Sequence, residues 1–111
     1  MTLEDLRAYG AAADEGLARC MNNEAFYLKM VGLGLQDERF GILGDVLAGG
    51  EIPAAFEMAH ALKGVIANLS LTPIEKPLSE MTEILRAGGR EGCEALWTQV
   101  LEERQRLLDL G

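Results

Sequence analysis

The sequence predicts an all-α fold, an antiparallel four-helix bundle with short additional N-terminal helices. Three observations lead there. Leu, Ala, Glu and Met, all good helix formers, dominate the 111 residues. Alternating runs of β-branched residues, the mark of strands, are missing. Apolar side chains recur instead at spacings of three and four, in segments closed by the glycine pairs Gly49-Gly50 and Gly88-Gly89.

Each element has a local reason. Thr2 with Asp5 three residues on is a capping box for a short opening helix carrying Leu3 and Leu6. A second short helix, about Ala12 to Cys20, brings Leu17 inward. Asn22 is the expected N-cap of the first long helix, with Met21 and Phe26 placed as a hydrophobic staple. That helix runs to about Leu33 and buries Tyr27 or Phe26, Met30 and Leu33, with Gly32 and Gly34 weakening its end. Asp37 caps the next helix, in which Phe40, Leu43, Val46 and Leu47 face inward. The helix containing His60 starts near Ile52 or Pro53, where proline is tolerated in the first turn, and continues to about Leu69.

Thr72-Pro73 offers a further cap, but Pro77 would disturb a helix through it. A short turn is therefore expected before a main helix from about Leu78 to Ala87, with Leu78, Met81, Ile84 and Leu85 inward. The last helix, about Arg90 to Leu108, places Leu96, Val100, Leu101, Leu107 and Leu108 on one stripe. Long amphipathic helices joined by short turns bury their stripes best as an antiparallel bundle.

Composition narrows the function. A hydrophobic content of 49% suffices for one core, and 111 residues leave no room for a second catalytic domain. The net charge of -8 speaks against non-specific nucleic-acid binding, which needs cations to neutralise phosphates. Neither glycine pair carries the motif residues of a phosphate-binding loop, so the chain is not expected to bind ATP by itself. Cys20 and Cys93 lack CxxC or Cys/His spacing and read as reduced packing residues. No apolar run approaches the roughly 18 residues that span a bilayer, so the expectation is a soluble, cytoplasmic protein without a membrane partner.

The only histidine, His60, is the candidate reactive group. Imidazole changes charge near neutral pH, and its free nitrogen is a good nucleophile. With His60 at 0° on a helical wheel, Ala55, Met58, Leu62, Val65, Ile66 and Leu69 all fall on the opposite side, the core face. His60 thus faces solvent, beside Phe56, Glu57, Lys63, Gly64 and Ala67. A lone histidine is most often a surface residue or a hydrogen-bonded structural one, and the wheel removes only the buried version. Metal ligation lacks partners, because the positions three and four residues on are Lys63 and Gly64. Acid–base catalysis lacks a cleft and an orienting carboxylate.

The constellation does suit a phosphoryl group. A phosphorylated imidazole gains up to about two negative charges, and the Lys63 ammonium one turn away lowers the cost of carrying them. Gly64, and to a lesser degree Ala67, leave space for a partner's backbone to approach. Phe56 would be an exposed apolar anchor for that partner.

Ala59-His60-Ala61-Leu62-Lys63-Gly64, followed by Asn68-Leu69, resembles the phosphorylation motif of histidine-containing phosphotransfer (HPt) domains. Upstream, Gly16-Leu17-Ala18-Arg19 and the residues to Tyr27 look like the Gly-Leu-x-Arg segment that leads into the family's first bundle helix. The resemblance implies one HPt domain over residues 1–111, usually monomeric. It implies a phosphocarrier without autokinase activity that takes a phosphoryl group from a receiver-domain aspartate and passes it to another receiver. His60 would be the phosphorylation site, Lys63 would stabilise the phosphate charge and Gly64 would give steric access. Phe56, Glu57 and Ala67 would meet the partner. Receiver domains of response regulators or of a hybrid sensor histidine kinase would be the partners, and the receiver would supply Mg²⁺. The family usually has small residues after Lys-Gly and a glycine after the following leucine; Val65, Ile66 and Ser70 depart from that, which predicts altered helix packing with the chemistry kept. The competing reading is a non-catalytic helical interaction module that keeps the docking face and assigns the histidine no chemistry.

Overall fold

In the computed structural model, which describes residues 1–111, seven helices follow one another. They are α1 (Leu3–Tyr9), α2 (Ala13–Arg19), α3 (Glu24–Leu35), α4 (Arg39–Ala48), α5 (Ile52–Asn68), α6 (Thr72–Arg86) and α7 (Cys93–Leu108). No strand is present. α4 packs on α5, α5 on α6 and α6 on α7. Phe40 of α4 stacks on Trp97 of α7, with ring centroids 6.3 Å apart, and so closes the four helices into a bundle. Short turns between consecutive packed helices make their directions alternate. Gly50 and Gly88 reverse the chain in the left-handed region, at φ 70° and 82°.

One core of 24 buried residues draws on all seven helices. α5 contributes Ala55, Ala59, Leu62 and Ile66, each fully buried. The shorter helices are tied on by polar contacts at helix ends. The Tyr9 hydroxyl of α1 donates to the Glu103 carbonyl at 2.9 Å, while the Arg106 guanidinium lies 4.5 Å over the Tyr9 ring. Arg104 Nε donates to the Leu35 carbonyl at 2.8 Å, which satisfies an end group of α3.

Several boundaries differ from the sequence expectation. The capping box of Thr2 and Asp5 forms. Asn23, not Asn22, caps α3, its side chain accepting from the Phe26 N–H. Met21 and Asn22 take left-handed conformations, and Met21 is 90% exposed, so no staple with Phe26 exists. Shifting the cap by one residue rotates the buried face: Tyr27, Val31, Gly34 and Leu35 go inward, Met30 is half-buried, and Phe26 and Leu33 are exposed. Leu17 is only half-buried. The N-cap of α4 is Glu38, which makes no side-chain capping bond, rather than Asp37; Asp37 stands one residue earlier, its Oδ1 accepting from the Arg39 N–H at 2.9 Å.

α6 is the larger correction. It runs unbroken from Thr72 to Arg86 with Pro77 inside it, and its N-cap is Leu71 rather than Thr72. Pro77 leaves the Pro73 carbonyl without its usual donor, a cost of about 3 kcal/mol in a helix interior. Ile74, Leu78, Met81 and Leu85 are all 2% exposed or less. At roughly 1.5–3 kcal/mol for each buried side chain of this size, the continuous helix wins. α7 starts at Cys93 because Gly92, at φ 87°, breaks the helical run from Arg90. Its inward seam is Cys93, Val100 and Leu107, seven residues apart, which leaves Leu101 exposed.

The turn after α5 explains the departure at Ser70. Ser70 has φ 60°, a left-handed conformation that costs a non-glycine residue about 1–2 kcal/mol and accounts for the family's glycine there. Arg19 Nη1 donates to Ser70 Oγ at 2.6 Å and to the carbonyls of Ala67 and Asn68 at 3.2 and 3.3 Å. The Tyr27 hydroxyl donates to the Leu69 carbonyl at 2.8 Å, and burial pushes its pKa up, keeping it a donor. A Cβ at Gly16 would meet the Tyr27 ring at 2.5 Å. The Gly-Leu-x-Arg segment is therefore the clamp on the end of α5.

Ser70→Ala is expected to destabilise the protein by about 1 kcal/mol in urea unfolding, through loss of the Arg19 bond. Ser70→Gly loses the same bond but sheds the left-handed strain, so it stays closer to wild type. Equal losses would show that Ser70 stores no strain.

Candidate functional site

α5 is amphipathic in the manner its sequence indicates, and the split decides where each polar group lies. Leu69, just past its end, joins the four fully buried residues, while Met58 and Val65 are half-buried at the edges of the core face. His60 is exposed on the opposite side. Glu57 is exposed beside it, and Ala67 is half-buried nearly two turns on. The structure thus brings His60, Phe56, Lys63 and Gly64 onto one face.

Phe56 corrects an expectation. It is half-buried rather than a free exposed anchor, and its ring stacks on the His60 imidazole with centroids 5.7 Å apart and planes 21° from parallel. Offset stacking of this kind is worth about 0.5–1.5 kcal/mol beyond area burial. The Arg86 guanidinium, from α6, lies 4.9 Å from the centroid of the same ring. Arg86 also pairs with Glu83 at 3.3 Å. Nothing in the α5 motif signals Arg86; only the register of α6 against α5 brings it there.

Lys63 is half-buried and has no carboxylate partner, because every ion pair in the chain uses an arginine. Its charge is free to act on a ligand. Gly64 is exposed, and a Cβ built on it would meet nothing within 4 Å. Its φ does not fall in the left-handed region either. The fold has no internal use for this glycine, although glycine in a helix interior costs about 0.8–1.0 kcal/mol relative to alanine.

An open groove runs beside Gly64 between α3 and α5, lined by Met30, Leu33, Val65 and Leu69. Gly34 permits it: a side chain there would strike Leu69, so α3 lies close against the end of α5. Leu33 is 56% exposed, and Phe26 lies further along the same helix. This apolar edge escaped the sequence reading because the Asn23 cap sets the rotation of α3.

Cys20 and Cys93 are free thiols, and burial pushes the Cys93 thiol up. No three His, Cys, Asp or Glu side chains gather into a metal-ligand set. No helix is long and apolar enough to cross a membrane.

A family model described as Hpt domain matches residues 33–110. The match takes in α4 to α7, with His60 inside it, and the end of α3. The segment from Gly16 to Tyr27 precedes it. No curated protein and no solved structure matches the chain.

Because nothing in the fold occupies the space at Gly64, Gly64→Ala is expected to raise the isolated protein's stability by about 0.5–1 kcal/mol in chemical denaturation. A destabilised variant would reveal an internal constraint on this position.

Proposed function

We propose, because the chain belongs to the Hpt domain family, that His60 is the residue through which it carries phosphoryl groups between receiver domains. Membership implies a phosphotransfer role within a phosphorelay, as a phosphocarrier lacking autokinase activity. One observation carries the finer reading. A solvent-facing imidazole shares its helix face with an unpaired ammonium and with a glycine that the fold does not require.

In the transfer, the lone pair of a His60 ring nitrogen forms a bond to the phosphorus of a receiver's phosphoaspartate. The phosphorus–oxygen bond to the aspartate breaks, and the carboxylate leaves with the electron pair. The reverse step delivers the group to the aspartate of a second receiver. Lys63 offsets the charge that accumulates on the phosphorylated ring, about 1.5–2 units at neutral pH. Gly64 lets the receiver's backbone come close enough for in-line approach.

Phe56, Glu57 and Ala67 border the docking area, and the apolar groove beside Gly64 extends it across α3. In this reading the receiver supplies the Mg²⁺ for the step. The shared core of α1 to α7 supports reading residues 1–111 as one domain.

Incubation with radiolabelled phosphorylated receivers tests this reading. The wild type is expected to take label from its cognate receiver, His60→Gln to take none, and Lys63→Ala to accept it about fivefold more slowly. That factor corresponds to about 1 kcal/mol of lost charge stabilisation. Label on His60→Gln, or wild-type protein that no receiver can label, would overturn it. A module that only docks would keep receiver binding and signalling output in His60→Gln.

A further inference from the structure

We propose that Arg86 is a second cation of the phosphoryl site, exchanging its partner Glu83 for the phosphoryl group once His60 carries one. This rests on the reading of His60 as the phosphoryl carrier and adds to the His-x-x-Lys-Gly motif a residue from another helix.

The motif supplies one positive charge for a group that brings up to about two negative ones. Lys63 is the only cation of α5, and the one anion of that helix, Glu57, lies exposed beside His60 and works against it. Charge balance at the phosphorylated ring therefore calls for a cation from a neighbouring element.

α6 packs on α5 and carries two, Lys76 and Arg86. Lys76 lines a cleft shared with α7. Arg86 stands at the site itself: its guanidinium carbon is 4.9 Å from the centroid of the Phe56 ring, and the His60 imidazole stacks on that same ring at 5.7 Å. Laid end to end, the two distances keep the guanidinium within about 11 Å of the imidazole centre, comparable with the Debye length of about 8 Å at physiological ionic strength.

Arg86 is also free to come closer. Its side chain is half-exposed, and its partner Glu83, on the same helix at 3.3 Å, is 63% exposed. Ion pairs this open to water are weak. A phosphoryl group accepts the forked N–H groups of a guanidinium as a carboxylate does, and carries more charge. The long stem of arginine permits the exchange while α6 stays in place. Glu83 then opposes phosphorylation twice, as a competitor for Arg86 and as a charge of the same sign as the phosphoryl group.

Phosphoramidate phosphorylates imidazole without a receiver, so docking does not enter the measurement. A ring nitrogen forms a new bond to phosphorus, the reagent's phosphorus–nitrogen bond breaks, and the departing ammonia takes up the proton that the ring sheds. ³¹P NMR spectra follow the rate at low salt. Wild type is expected to take label on His60, Arg86→Met to label about two- to fivefold more slowly and Glu83→Gln about twofold faster. Arg86→Lys should retain most of the wild-type rate. The opposite signs matter, because an ion pair with a merely structural role would move both variants in one direction. The differences should shrink in about 1 M salt, where the Debye length falls to about 3 Å.

Both side chains are at least half-exposed, so the variants are expected to fold, and their unfolding curves check this. With wild type labelled on His60, the role of Arg86 alone is overturned if Arg86→Met matches the wild-type rate, keeps its full deficit in high salt, or is joined in that deficit by Glu83→Gln. A wild type that takes no label on His60 overturns it together with the phosphocarrier reading.

Discussion

The two-sidedness of α5 is the constraint on which the rest of the structure depends. Ala55, Ala59, Leu62 and Ile66 are fully buried, and two of the four are alanines. Small residues let α4 and α6 approach the helix axis closely, and larger inward side chains would push them apart. With α5 fixed from that side, the opposite face cannot rotate. His60 is held in solvent by the burial of residues behind it and not by any bond of its own. A helix that could turn by one residue would bring His60 about 100° nearer the core and expose Ala59.

The ends of α5 are controlled as tightly as its face. A helix leaves its last four carbonyls without partners, and the carbonyls around this C-terminus are met by donors from two other helices. Arg19 serves Ala67 and Asn68, and Tyr27 serves Leu69. These donors come from α2 and α3, well before the bundle in sequence. Their arrangement holds Ser70 in a conformation that serine ordinarily avoids, because the Arg19 bond to its hydroxyl replaces the freedom that glycine would have supplied. The departure from the family pattern at this position thus has a local compensation. Val65 and Ile66 divide the other departure between them, Ile66 entering the core and Val65 lining the groove.

The parts legible in the sequence are those governed by local rules. The capping box at Thr2, the stops after α4 and α6, and the solvent exposure of His60 all follow from patterns within one helix or turn. Illegible were features that depend on what another element does. A one-residue shift of cap between two adjacent asparagines could not be decided until Tyr27 had found the Leu69 carbonyl, and that shift moved Phe26 and Leu33 from core to surface. Pro77 reads locally as a helix breaker, yet the apolar face of α6 outweighs it. Arg86 carries no signal until α6 lies beside α5. In the site, the motif residues were visible from spacing alone, whereas the ring that stacks on His60 was visible only as a neighbour.

This division has a consequence for how the chain is used. The chemistry assigned to His60, Lys63 and Gly64 lies wholly within the four helices that the family match covers. Much of the apolar edge beside Gly64 comes from α3, where Phe26 and Met30 precede the matched residues. A receiver that reaches His60 over Gly64 would also meet that edge, because Gly34 lets α3 lie close against the Leu69 side chain at the end of α5. On the proposed reading, the transfer chemistry belongs to the matched bundle, and the surface by which receivers would be told apart lies largely on α3. On that reading, substitutions on the exposed face of α3 would alter partner choice without touching His60, because the clamp through Arg19 and Tyr27 holds α2 and α3 against the end of α5 independently of the histidine.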